Sequence, residues 1–344
     1  AQHPAWRLDI DLHHAIGDLN LDLTLALDVD TSMLEDHLYG VGAEFVHCDI
    51  YLCQVIGLDA AWLPALTRDH RLLFVEGHDS IGIANNYARS ISTIDATLNN
   101  HNGGLDGTGE VGALSDSGLD QDHGDFNNRI RGVYHQFGPD NSAADAHSGH
   151  GTHVAGTMFG DGNGDSSTRG VAPNATFHFY QLEHDPSGQL ARWGSLYDMF
   201  RDSHQKNAHV QSNSWGAQSS WGQYTSDSRS ADSFMNDYDD FLVLFAAGNE
   251  GSQGSQSIAP PATAKNVLTV GASTTGRPGT TSAGQVASFS SIGPTADGRI
   301  KPDLVAPGVQ ICSPRAEEAQ NPAGWSCSSA RHTGTSIPLY MSAD

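Results

Sequence analysis

Four positions carry side chains that could share one reaction. Asp116 closes the run "EVGALSD" (110–116), so its carboxylate stands at the carboxyl end of an apolar segment. His150 lies in "HSGHGTHVAG" (147–156), a glycine-bearing turn that runs into a helical pattern. Asn249 follows Gly248 at the end of "FLVLFAAGN" (241–249), and Ser336 follows Gly334 and Thr335. An imidazole within reach of a hydroxyl can take its proton and make the oxygen a nucleophile. A carboxylate can orient that imidazole, and an Asn amide can donate to the oxyanion that forms, an interaction worth about 2.7–4 kcal/mol in such sites. Each residue alone has a plainer reading, as a cap, a left-handed turn or a small-residue turn. Together, Asp, His, Asn and Ser at strand-to-loop or loop-to-helix positions describe one acyl-transfer site. His150 and His153 are three apart with no Glu between them. Helical zinc pairs use i and i+4 with an intervening Glu, so a general base at His150 fits better.

Such a site needs a scaffold that brings strand ends together. From Glu110 onward, short apolar runs at 110–116, 175–182, 209–216, 241–249 and 266–272 alternate with helical patterns. Leu190, Trp193, Leu196, Tyr197 and Phe200 recur every three to four residues and predict a helix; 226–240 predicts a second. Strands alternating with helices predict an α/β fold, a doubly wound and mostly parallel sheet with helices on both faces. Ligands in such sheets gather at the carboxyl ends of the strands, where Asp116 and Asn249 fall.

The first ~80 residues have another texture. Leu8, Ile10 and Leu12 alternate, and so do Leu19 through Val29, the period-two pattern of half-buried strands. Ser32-x-x-Glu35 is a capping-box pattern for a short helix through Leu38. Residues 43–56 read as β, 59–66 as a helix and 71–76 as a last strand, which makes a small α+β unit. The expected division is 1–80 for this unit, 81–108 for a polar, Gly/Asn-rich linker, and 109–344 for the α/β domain.

Composition narrows the function. With 17 basic against 40 acidic residues the net charge is −23, which argues against nucleic-acid binding because phosphate contacts need cations. No apolar run reaches the ~18–20 residues that span a bilayer. The sequence begins at Ala1 with no charged-then-apolar leader, as expected if a signal has been removed or if it starts within a gene. Four cysteines are too few for a disulfide scaffold. Cys48 and Cys53 lie five apart; Cys312 and Cys327 lie fifteen apart and could bridge or remain two thiols.

The blocks "SDSGLD", "GHGTHVAG", "SNSWG", "FAAGNEG", "VASFSSIGP", "KPDLVAPG" and "GTS", in this order over roughly 105–336, resemble the signature blocks of the subtilase superfamily. The order Asp…His…Ser is also that of subtilisin-type sites. "NSWG", "TSDSR", "FAAGNEG" and "DGRIKPDLVAPG" look closest to a branch of bacterial alkaline subtilases that carry an extra C-terminal β domain, and no such domain is expected within these 344 residues. The resemblance implies a secreted serine endopeptidase acting on polypeptides, with Asp116 as orienting acid, His150 as general base, Ser336 as nucleophile and Asn249 as oxyanion donor. It implies that Ser214, Trp215 and Gly216 form the backbone strand that pairs with an extended substrate. "DAAWLPALTRDHRLLFVEGH" is similar to the end of a subtilase pro-domain, which implies that residues 1–80 act as an intramolecular inhibitor, with maturation between Glu76 and Asn100.

Subtilases commonly bind structural Ca2+, and "DGNGDSSTRG" places Asp161, Asn163 and Asp165 at alternate positions, as oxygen-ligand loops do. The loop lacks the glycine and glutamate of an EF-hand, and a solvated acidic loop is the other reading. The chemistry itself requires no cofactor. The family usually continues G-T-S-M-A-x-P into a long buried helix; here Ile337 and Pro338 follow the serine and only eight residues remain. The expectation is a C-terminally incomplete copy. The competing expectation is a non-catalytic subtilase-like chain that binds or inhibits through its N-terminal unit. Ile337 also lacks the sulfur that makes a methionine there an oxidation target.

Overall fold

The alternating leucines near the N-terminus build one strand of a small antiparallel sheet. In this computed structural model the residues described are 7–9, 12–77, 81–83, 92, 94, 104–163, 168–274, 284–309, 311–319 and 337–339. Chain order in the first unit is β1 (Asp18–Leu25), α1 (Thr31–Gly40), β2 (Phe45–Cys48), β3 (Leu52–Asp59), α2 (Leu63–Leu66) and β4 (Leu72–Gly77), with sheet order β2-β3-β1-β4. Leu21, Leu23 and Leu25 meet Leu34 and Leu38 of α1 in one apolar cluster.

Three local details differ from the expectation. β1 stops at Leu25 rather than Val29, because Asp28 takes a left-handed φ of 61° and Leu27 turns outward. Asp30, not Ser32, caps α1 by accepting from Met33 N at 3.3 Å. Glu35, the expected partner in the capping box, instead accepts from Cys48 N at 2.7 Å and ties the helix to β2. Cys48 and Cys53, paired across the β2–β3 hairpin, form a disulfide.

Past this unit come β5 (Ile81–Ile83), β6 (Val111–Asp116), β7 (Ile130–Tyr134), α3 (His150–Phe159), β8 (Thr176–Gln181), β9 (Glu183–His184) and β10 (Gln189–Leu190). Then follow α4 (Leu196–Gln205), β11 (Val210–Asn213), β12 (Trp215–Ala217), α5 (Ser226–Asp237), β13 (Leu242–Ala246), β14 (Leu268–Ser273) and β15 (Leu304–Pro307). Seven strands form one parallel sheet in the order β15-β14-β13-β11-β6-β8-β7. A second sheet, β12-β5-β10-β9, is antiparallel, and a short pair joins β16 (Ile311–Ser313) to β17 (Ile337–Leu339).

The period of two along each strand sorts residues to the two faces of the large sheet. Ala113, Tyr180, Val243 and Phe245 pack against Leu196 and Phe200 of α4 and Phe234 of α5. Leu114, Phe177 and Phe179 pack against Val154, Ala155 and Phe159 of α3. Helices therefore cover both faces, the doubly wound α/β arrangement. On the α3 face a cavity of about 270 Å³, lined by Val154, Met158, Leu244, Ala246 and Val270 among others, remains open.

Two expectations are corrected here. The helix predicted from Leu190 begins only at Leu196: Gly194 sits at φ 80°, and Ser195 caps by accepting from Asp198 N at 3.1 Å. Leu190 belongs to β10 instead. Within the expected linker, Ile81–Ile83 is a strand, laid antiparallel between β12 and β10.

Candidate active site

Asp116 is the last residue of β6, and alternation turns it to the same face as Leu114, toward α3. α3 begins at His150, preceded by Gly149 at φ 72°, a left-handed conformation that glycine adopts without strain. Gly151 then packs directly on the backbone of Gly118, where any Cβ would collide. These glycines let the end of β6 and the start of α3 approach until His150 Nδ1 lies 2.5 Å from Asp116 Oδ1. Both side chains are buried. Asp116 Oδ1 also accepts from Ser117 N at 2.7 Å. The other imidazole nitrogen, Nε2, is buried with no hydrogen-bond partner among the described residues.

The turn before His150 is held by two carboxylates that sequence reading passed over. Asp145 Oδ2 accepts from Thr152 N at 2.8 Å, and Oδ1 accepts from Ser117 Oγ at 2.8 Å. Ser117 Oγ in turn accepts from Gly151 N at 2.7 Å. Glu183 accepts from the N–H groups of His147 (3.0 Å) and Ser148 (3.3 Å). Two acids thus satisfy backbone donors around the first turn of α3, where carboxylates are favoured. Burial, reinforced by the charge of Glu183, pushes the Asp145 carboxyl well above its ordinary range, and burial raises Glu183 as well. Glu183 stands just past the carboxyl end of β8, so the rule that singled out Asp116 applies to it. Asp145 carries no comparable signal, since its role depends on the fold of the 138–149 loop.

Register across the sheet aligns the remaining positions. Asn213 pairs with Ser115 on one side and Phe245 on the other. The next residues, Asp116, Ser214 and Ala246, therefore share the carboxyl edge, and Asn249 follows β13 beyond Gly248, whose φ is 103°. Ser214 separates β11 from β12. The indole of Trp215 is buried and donates to Ser115 O at 3.1 Å, so this side chain braces the end of β6 while its backbone faces the second sheet. There Trp215, Gly216 and Ala217 pair with Ile83, Gly82 and Ile81. The expected substrate strand thus already holds an extended segment of the same chain.

Ser336, Asp165 and Cys327 lie outside the described residues. Of the proposed calcium ligands, Asp161 Oδ1 accepts from Asn163 N at 2.8 Å, and its Oδ2 lies 3.8 Å from Arg129 Nη2. The Arg129 guanidinium beside that carboxylate would compete with a metal ion for it.

Residues 107–340 match the subtilase family of peptidases (S8), and the chain belongs to that family. Relatives carry serine protease names. Subtilisin NAT of Bacillus subtilis subsp. natto is 33% identical over 263 residues, 74% of this chain and 61% of its own length. AprX of Bacillus subtilis is 33% identical over 225 residues, 62% of this chain and 49% of its own. The serine protease/ABC transporter tagD of Dictyostelium discoideum is 30% identical over 304 residues, 62% of this chain and 16% of its own. The chain therefore spans from about one sixth to three fifths of these relatives. Among solved structures, fervidolysin from Fervidobacterium pennivorans matches 96% of this chain and 53% of its own with a TM-score of 0.62 at 21% identity. The epidermin leader peptide processing protease EpiP of Staphylococcus aureus matches 85% and 75% with a TM-score of 0.56 at 16% identity. At such identities the likeness is one of fold, and it is the subtilisin-like α/β fold. No described helix is long and apolar enough to cross a membrane.

Proposed function

We propose that this chain is a serine endopeptidase that cleaves extended polypeptides through Asp116, His150 and Ser336. The observation that carries the reading is the buried Asp116–His150 pair, with Nδ1 on the carboxylate and Nε2 left for a second group. Nδ1–H donates to Asp116, which fixes the tautomer and leaves Nε2 as the base. Ser336 Oγ adds to the scissile carbonyl as its proton passes to Nε2. The Asn249 amide donates to the oxyanion. Nε2 then gives the proton to the leaving amine, and water, deprotonated by the same nitrogen, hydrolyses the acyl-enzyme.

In this reading the substrate lies along the backbone of Ser214, Trp215 and Gly216, pairing by added-strand hydrogen bonds. The seat of β5 on β12 supports it, since an extended segment already pairs there. Residues 1–80 act as a pro-domain that delivers Ile81–Ile83 to the substrate strand and keeps the site closed until the chain is cut between Glu76 and Asn100. The Cys48–Cys53 disulfide fits folding in an oxidising compartment and therefore secretion. Calcium has no part in the chemistry and enters only as a structural ion of the family.

The test is labelling of the folded chain with a serine-reactive fluorophosphonate, before and after removal of residues 1–80. Labelling that appears or increases on removal, and vanishes in Ser336→Ala and His150→Ala, is expected. A folded chain that never labels would overturn the reading.

A further inference from the structure

We propose that His204, His209 and Asp240 form a binding site for a divalent transition metal of the Zn2+ class, on the edge of the large sheet opposite Asp116. Three elements meet there. His204 lies in the last turn of α4, His209 directly precedes β11, and Asp240 lies between α5 and β13. His204 Nε2 is 3.1 Å from Asp240 Oδ1, and His209 Nδ1 is 3.3 Å from Asp240 Oδ2. One ligand atom from each residue falls within 4.8 Å of the other two, an arrangement no other His, Cys, Asp or Glu group reaches among the described residues.

The donor set and spacing suit such an ion. Two imidazoles and one carboxylate are borderline ligands that favour Zn2+ and its neighbours over Ca2+ or Mg2+. Bonds of about 2.0–2.1 Å in a tetrahedron put ligand atoms about 3.3 Å apart, close to the nitrogen–oxygen separations already present. His209 and Asp240 are both more than half exposed, so water can complete the set. The scaffold is held before any metal arrives. The His204 ring packs 4.7 Å from that of Tyr238, His209 O accepts from Leu242 N at 2.8 Å, and Asn207 turns the chain between the histidines at φ 65°. Lys206, two residues past His204, is engaged by Asp202 at 2.5 Å. A chain of net charge −23 also concentrates cations near its surface.

Position in the sheet assigns the role. His209 and Asp240 precede the amino ends of β11 and β13, whereas Asp116 closes the carboxyl end of β6. A strand rises about 3.3 Å per residue, so the five steps from His209 to Ser214 separate the two edges by roughly 17 Å. The metal would brace the ends of α4 and α5 against the sheet and take no part in peptide hydrolysis.

The experiment is titration of the intact, metal-stripped chain with Co2+, read by its visible d–d absorption, followed by competition with Zn2+. One Co2+ per chain, displaced by Zn2+, is expected. His209→Gln and Asp240→Asn should each weaken binding at least about 10-fold. His70→Gln, at a side chain 96% exposed and far along the sequence, should not. Zn2+ should raise Tm by several degrees in the parent chain and in His70→Gln, and not in the two ligand variants. Absence of Co2+ uptake below millimolar concentration, or uptake unchanged in both ligand variants, overturns the proposal, and neither outcome bears on the peptidase reading.

Discussion

The core of the large sheet and the seam between the two units are made of different materials. In the core, rings meet edge to face or tilted: Phe234 and Phe241 are 5.1 Å apart, Phe200 and Phe234 5.5 Å, and Trp215 and Phe245 5.3 Å. Along the seam, two ring contacts, Phe45–Trp193 at 5.5 Å and Tyr51–Tyr197 at 5.6 Å, stand among groups that titrate or hydrogen-bond. His47 lies 3.3 Å from Asp198, Tyr51 Oη donates to Asp237 at 3.5 Å, and Ser226 Oγ donates to Asp22 at 3.1 Å. Glu76 accepts the backbone N–H of Ser226, the first residue of α5. Apolar packing holds at any pH, whereas a seam of carboxylates and imidazole holds as tightly as its protonation allows. One region is built to persist and the other to be adjustable, as between domains that separate.

Several experiments can break that contrast. The largest effect belongs to neither region. On the proposed mechanism, Asp116→Asn should lower kcat by about 10⁴-fold in the chain freed of residues 1–80, through loss of the tautomer that keeps Nε2 free. Its unfolding midpoint should stay close to the parent's, and a large loss of stability would mean that Asp116 belongs to the core instead. Next in size, Phe245→Ala should cost about 3–5 kcal/mol in denaturant unfolding. Ser226→Ala at the seam, which loses the hydrogen bond to Asp22, should cost about 1 kcal/mol. Equal costs would erase the distinction between core and seam.

The smallest effect is the most specific. Burial, with the charge of Asp22 beside it, pushes the Glu76 carboxyl up to about 8. Docked, Glu76 holds its proton; released into water, it ionises near 4.5. Between about pH 4.5 and 8 the docked state therefore binds more protons, so docking weakens as pH rises through that window. His47, raised by its hydrogen bond to Asp198, acts in the same direction: its contribution is full below its ordinary value and is lost as pH rises through the docked one. Glu76→Gln should flatten the pH dependence of the N-terminal unit's unfolding midpoint between pH 5 and 8.5. A variant that keeps the parent's slope would assign the dependence to other groups.

Much of this was legible in the sequence, for reasons that can be named. The strands ending at Asp116, Asn213 and Ala246 follow from apolar runs that close on polar or small residues, and the glycines around His150 announced a tight turn into a helix. Context defeated the rest. The helix pattern from Leu190 was real as a list of apolar positions, yet Gly194 and Ser195 impose a later start, and Leu190 is buried by a strand instead. Glu35 looked like half of a capping box and is used across space on β2. Asp145 depends on how the 138–149 loop folds, and the Cys48–Cys53 pairing on the register of the β2–β3 hairpin. The strand at Ile81–Ile83 has no sequence pattern of its own; it is a strand because β12 and β10 offer it an edge on each side.

That placement has a kinetic consequence. While Ile81–Ile83 and Trp215–Ala217 belong to one continuous chain, their encounter is unimolecular, and its local concentration is set by the tether. Diluting the intact protein cannot empty the groove. Once the backbone between them is severed, the same pairing becomes a bimolecular equilibrium that falls apart as the fragments spread. A single cut would thus make the volume into which the protein is released a part of its control.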